Sequence, residues 1–181
     1  MADYPVRVSR GKDLSVEPHD GESYRFVSML DDVAINPVDG REESIHRLRI
    51  TGNVHATTFE LSGIEVEFEV VPHEVCDLAL APAVQLNGLR IGPGFRRAVI
   101  DALEGTKGCT HLLSMAVELS QLHTLVTYAK MRELMPDIDH TSPRWVGLGL
   151  EIEPGMENAC VALRSDSPVV EVAREHQRNE D

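Results

Sequence analysis

The sequence predicts an α+β fold: an antiparallel sheet of three to five strands, with a long helix over about 109–134 and shorter helices packed on one face. Three observations carry that prediction. Ile64, Val66, Phe68 and Val70 alternate with Glu65, Glu67 and Glu69, the period-two signature of a strand with one wet face. Leu112, Leu113, Ala116, Leu119, Leu122, Val126 and Ala129 recur at three- and four-residue steps, the signature of an amphipathic helix. The two patterns also do not interleave. Strand-type periodicity fills the first half and helical periodicity the second, which segregates helices from strands.

Taken in order, residues 1–22 are polar, with charge of both signs and Pro18-His19-Asp20-Gly21 near their end. They read as an irregular arm with a short strand at Val6–Val8. Tyr24 to Leu30 opens the first strand of the sheet, within 24–35, and Asn36-Pro37-Val38-Asp39-Gly40 is a turn. From Ser44 to Val71 the pattern is β: Leu48 and Ile50 alternate with Arg47 and Arg49, the strand continues through Phe59, Ser62-Gly63 makes the turn, and Pro72 ends the run. Cys76 to Leu86 reads as a short helix interrupted by Pro82, and Gly92-Pro93-Gly94 leads into a helix over Phe95–Leu103. The long helix starts after Gly108 and stops at Met135-Pro136. Residues 136–157, with three prolines and three glycines, read as a loop or lid with one strand at Val146–Ile152. Ala159–Leu163 reads as a last strand. The resulting organisation is an arm (1–22), a single domain (23–170) and a frayed, charged tail (171–181).

The bulk numbers exclude several function classes. A chain of 181 residues with 42% hydrophobic content buries a core of ordinary size. No apolar run approaches the roughly 20 residues of a membrane span. Net charge is −13, from 17 basic and 30 acidic residues, which repels phosphate backbones and argues against nucleic acid. Met1-Ala2-Asp3-Tyr4-Pro5 lacks the apolar core of an export signal, so the expected setting is the cytoplasm, with the three widely spaced cysteines reduced.

The residues with most chemical content are Cys109 and His111, in Gly108-Cys109-Thr110-His111-Leu112. Free N–H groups and the dipole at a helix start favour a thiolate, the form that binds metal. Within a regular helix, residues two apart diverge by roughly 200°, so the pair converges only if Cys109 sits at the cap, outside the helical rotation. His55, on a strand, and Cys76, after a strand end, complete a four-ligand set: His55, Cys76, Cys109 and His111. Two cysteines and two histidines suit zinc or iron, and exclude calcium and magnesium. The alternative assignment is small buried cysteines, with His55 paired to a carboxylate. Glu118, two turns beyond His111, is the candidate general acid or base. Arg96 and Arg97 are candidates for holding an anionic group, Arg97 also as a catalytic group, and Tyr128 is a candidate substrate contact. His46 and His73, near turns, read as solvated. No nucleophile elbow or phosphate-binding glycine loop occurs.

The segment Leu89-Arg90-Ile91-Gly92-Pro93-Gly94-Phe95-Arg96-Arg97, followed by Gly108-Cys109-Thr110-His111-Leu112, resembles the bacterial domain-of-unknown-function family 2889. Val54-His55, Val75-Cys76 and Asn158-Ala159-Cys160-Val161-Ala162-Leu163-Arg164 extend the likeness, over roughly 24–170. Leu113 and Ser114 depart from the family's threonine and glutamate, and Val161 from its histidine. A more distant likeness of layout, strand ligand to cysteine loop to a Cys/His pair opening a helix, is to iron–sulfur scaffold proteins. These resemblances favour the four-ligand site over a metal-free thiol cluster. The expected function is a metal-dependent enzyme of lyase or hydrolase type, acting on a small, aromatic or related, organic molecule in bacterial catabolism. The competing expectation is a non-catalytic metal or iron–sulfur binding protein. A homodimer is compatible with either.

Overall fold

The computed structural model describes residues 4–180; Met1–Asp3 of the expected arm and Asp181 of the expected tail lie outside the described residues. Four strands, β1 (Val8–Pro18), β2 (Ser23–Ile35), β3 (Glu42–His55) and β4 (Leu61–Val70), form one antiparallel sheet in the order β1-β2-β3-β4. Five α-helices follow, α1 (Phe95–Leu103), α2 (Thr110–Glu118), α3 (Leu122–Leu134), α4 (Pro143–Ile152) and α5 (Pro168–Glu180). The α+β prediction holds. The long helix is present from Thr110 to Leu134, with one 3₁₀ turn at Leu119–Gln121 between α2 and α3.

The chain divides into two compact units, one up to His123 and one from Thr124. In the first, the inward parity of β2 (Tyr24, Phe26, Ser28, Leu30, Asp32) faces Leu48, Ile50 and Val54 of β3 across the ladder. Helix α2 packs over β2 and β3, and α1 packs on α2. Phe26, Leu30, Leu48, Ile50, Leu112 and Met115 are all essentially buried, each worth about 1.5–3 kcal/mol relative to exposure. The opposite sheet face is wet and charged, with Arg47 on Asp31 and Arg49 on Glu67 and Glu69.

Residues 8–18 correct the expected irregular arm and the short strand at Val6–Val8: they form the full-length edge strand β1. An edge strand is held by main-chain bonds on one side, and here only Leu14 and Val16 are half-buried, so hydrophobic alternation is faint. Its charged side chains discourage further pairing. The β3–β4 turn lies at residues 56–60, ahead of the expected Ser62-Gly63; buried Phe59 adopts φ 56° there. Gly63 (φ 60°) instead sits inside β4, beside a register shift. The helix expected over Cys76–Leu86 is two 3₁₀ helices, Glu74–Ala79 and Ala81–Leu86, that meet at Leu80, with Pro82 in the first turn of the second.

In the second unit, the expected lid and strand at 136–157 are replaced by α4. Ser142 caps it, its Oγ accepting from the Trp145 N–H, and Pro143 opens it. Gly147 and Gly149, which fall in the expected strand Val146–Ile152, are buried in the helix where Gln177 and Met131 approach closely. The expected strand at Ala159–Leu163 is a 3₁₀ turn at Val161–Leu163. The expected frayed tail belongs to α5: the Ser167 hydroxyl accepts from the Val170 N–H, and Val170 and Ala173, three apart, are fully buried.

Candidate metal centre

Three adjacent strands and one helix start converge at one end of the inward sheet face. Arg10 on β1 and Asp32 on β2 are direct cross-strand partners, as are Asp32 and His46 on β3. The β2–β3 register shifts immediately beyond, Asp32 pairing with His46 but Val33 with Ser44, so Ile45 is the extra residue of a bulge. The bulge reverses the parity of β3. His46 faces inward, while Ser44 points outward, where its hydroxyl donates to Asp31.

Helix α2 brings the fourth group. Cys109 is its N-cap, in extended conformation (φ −118°, ψ 139°), so the thiol escapes the helical rotation. Its Sγ lies 3.4 Å from His111 Nδ1, and the other nitrogen of that ring, Nε2, lies 3.3 Å from Asp32 Oδ2. The same oxygen accepts from His46 Nδ1 at 3.1 Å and from Arg10 Nη2 at 2.8 Å, while Arg10 Nε donates to Oδ1 at 2.6 Å. The two imidazoles stack with centroids 4.0 Å apart, tilted by 30°.

Charge follows from these contacts. The bond from Arg10 holds the Asp32 carboxyl below its ordinary value despite its burial, helped by the charge of Arg10 and both histidines. Asp32 in turn raises Arg10. Burial pushes His111 down, and the charges of His46 and Arg10 push the same way, against the pull of Asp32. The neutral ring, the form that binds metal, is therefore favoured. The group opens onto a shallow depression of ≈ 510 Å³ lined also by Val8, Ser9 and Ile45. Asp32, His46 and His111 form the one cluster of three or more metal-type side chains within mutual reach among the described residues, their ligand atoms all within 4.8 Å of one another.

Of the four ligands expected from sequence, the structure brings Cys109 and His111 together and does not bring His55 or Cys76 to them. His55 stands nine residues along β3 from His46, roughly 30 Å at strand rise. Its Nδ1 accepts from the Thr57 and Thr58 N–H groups at 3.1 Å each, which makes it the cap of the β3–β4 turn. Cys76 lies in the first 3₁₀ helix after β4. Glu118 pairs with Lys12 at 3.0 Å, about 10 Å along the helix from His111. Arg97 pairs with Asp101 on the exposed side of α1, Arg96 is exposed beside it, and Tyr128 belongs to the second unit, 5.8 Å from Trp145. The sequence reading missed Arg10 and Asp32 and took His46 for a solvated residue. The available signal was parity: Asp32 falls on the same strand face as Phe26, Ser28 and Leu30, and His46 on that of Ile50 and Leu48.

The model of a family of proteins of unknown function, family 2889, matches residues 9–125. The chain belongs to that family. The family 2889 match takes in β1, reaching further toward the N-terminus than the motif likeness did, and includes Arg10, Asp32, His46, Cys109 and His111. It ends in the first turn of α3, so the segment around Cys160 lies beyond it. No curated protein and no solved structure matches the chain. Among the described residues, no helix is long and apolar enough to cross a membrane.

Proposed function

We propose that Asp32, His46 and His111 hold one zinc or ferrous ion, and that this member of family 2889 is a metal-dependent lyase or hydrolase acting on a small organic molecule. One observation supports the reading most. Bonds of about 2.0–2.2 Å at tetrahedral or octahedral angles place ligand atoms roughly 3.0–3.5 Å apart. Asp32 Oδ2 lies 3.1 Å from His46 Nδ1 and 3.3 Å from His111 Nε2. Two imidazoles and one carboxylate leave coordination positions free. The expected Cys₂His₂ set would have closed a zinc ion.

A divalent ion in this set supplies a Lewis acid that polarises a bound carbonyl or activates water. Arg10 and Cys109 act behind the ligands. The Arg10 fork orients the Asp32 carboxylate, and the contact of Cys109 with His111 Nδ1 leaves Nε2 to face the ion. Three free cysteines accord with a reducing cytoplasm, and catabolism of aromatic or related compounds is the setting that the motif likeness favours. A second reading, a non-catalytic metal or iron–sulfur handling protein, draws support from Cys109 Sγ at the edge of the site.

Metal analysis of protein purified from zinc- and iron-supplemented cells tests the proposal. About one ion per chain is expected, lost in His46→Ala and His111→Ala and retained in His55→Ala and Cys76→Ser. Absence of stoichiometric metal sinks it. Retention in His46→Ala with loss in Cys76→Ser restores the four-ligand set. In the cobalt-loaded protein, strong thiolate charge-transfer absorption that disappears in Cys109→Ser favours the handling reading.

A further inference from the structure

We infer that Arg10 and the open side of the metal centre together receive the carboxylate of a small organic acid with an apolar body. This rests on the metal reading above and specifies its substrate class. Arg10 engages Asp32 through two nitrogens, Nε on Oδ1 and Nη2 on Oδ2. The second oxygen is also the one that both histidines approach. An oxygen committed to an ion is a poorer acceptor for Nη2, whereas the 2.6 Å bond from Nε to Oδ1 uses the other oxygen and keeps the guanidinium in place. The far edge of the same plane, Nη1 (which makes no hydrogen bond among the described residues) with the second N–H of Nη2, is then the pair left for a ligand in the depression that Arg10 lines with its side chain 44% exposed.

Geometry and surroundings choose the ligand. Two adjacent guanidinium N–H groups match the planar fork of a carboxylate. Arg10 is the one Lys or Arg lining the depression, so one planar fork beside the ion is what the protein itself offers an anion. The remaining walls include Val8 and Ile45, apolar and exposed at 65% and 37%. They flank the mouth where the body of a bound acid would lie, and covering them recovers hydrophobic free energy.

Cobalt-loaded protein titrated with benzoate, followed by visible absorption and by calorimetry, tests the inference. Saturable binding at one site is expected, with acetate and inorganic phosphate both weaker for want of an apolar body to cover Val8 and Ile45. Compared at saturating cobalt, because Arg10 also orients the ligand Asp32, Arg10→Gln should weaken benzoate by about tenfold or more, the loss of one charge-assisted pair. Arg10→Lys keeps the charge and loses the fork, so it should fall between, and it serves as the readout if Arg10→Gln fails to fold. If cobalt does not bind the wild-type chain, the metal reading has failed. If cobalt binds but benzoate does not, or binds the Arg10 variants as well as the wild type, the carboxylate inference is overturned and the metal reading stands. Tighter binding of phosphate than of benzoate overturns it equally.

Discussion

Gly108→Ala separates two physical effects of opposite sign. Gly108 has φ −133° and ψ −160°, extended backbone that alanine adopts without strain. The unfolded-state contribution therefore favours the variant, by about 0.4–1 kcal/mol. The folded structure opposes it. A Cβ at residue 108 would lie 2.4 Å from the Leu103 carbonyl oxygen and 3.1 Å from its carbon, at the end of α1. Ordinary contact requires roughly 1 Å more, and the obstacle is backbone, so either α1 or the start of α2 must move. Overpacking of this kind costs about 1–3 kcal/mol, and a rigid obstacle puts the cost at the upper end. The net expectation is a loss of about 2–2.5 kcal/mol, or roughly 4–10 °C in Tm for a chain of this size. Because His111 lies three residues downstream, metal affinity should fall as well. Urea unfolding and a metal titration of the same preparation check both. A variant as stable as wild type, or more so, would refute the close approach of α1 to the start of α2.

Three other perturbations probe the site, and a fourth, at His55, is their control. Asp32→Asn in metal-free protein should cost about 1–2 kcal/mol by urea unfolding, since bonds to charged groups are worth about 1.5–3 kcal/mol and the 44% exposure of Arg10 discounts them; a loss under 0.5 kcal/mol would show the pair to be inert. In metal-free protein both His111 and Asp32 are held below their ordinary values of 6.5 and 3.8, so the unfolded chain takes up protons first. Stability should be full above about pH 6.5, falling as His111 is forced to charge and again below about pH 4 as Asp32 is protonated, with His111→Gln removing the upper step in a pH series of unfolding curves. Zinc at a hundredfold excess over its Kd should add about 2.7 kcal/mol, seen as a rise in Tm of roughly 5–11 °C that chelator reverses. His55→Ala should lose about 1 kcal/mol with the two turn bonds while zinc affinity, by calorimetry, stays unchanged.

What was legible in the sequence follows from which forces leave a one-dimensional trace. Burial on one side of a paired strand leaves alternation, so Ile64 to Val70 and Leu48 to Ile50 identified β3 and β4. The Gly92-Pro93-Gly94 entry marked α1 at its observed bounds, with Gly94 in the left-handed region. Edge strand β1 left little trace because main-chain bonding holds it. Helix α4 was hidden because two glycines, poor helix formers, stand where close packing requires them, and the segment read as a strand. At the site, the Cys109–His111 pair was visible through its local spacing. Arg10, Asp32 and His46 meet through strand register, and the bulge at Ile45 sets which face His46 presents. Neither is written in any single segment.

That reliance on register has a kinetic consequence. Arg10, Asp32, His46 and His111 are far apart in sequence, and no two of the proposed ligands are near neighbours along the chain. An unfolded or half-paired chain offers an ion nothing better than an isolated imidazole or the Cys109–His111 pair. The three ligands acquire their spacing only after β2 has zipped onto β3 in the correct register and α2 has docked. An ion would thus arrive after the folding barrier has been crossed. Removing it should leave the refolding rate nearly untouched and accelerate unfolding, so bound metal would lengthen the lifetime of the native state without guiding its formation.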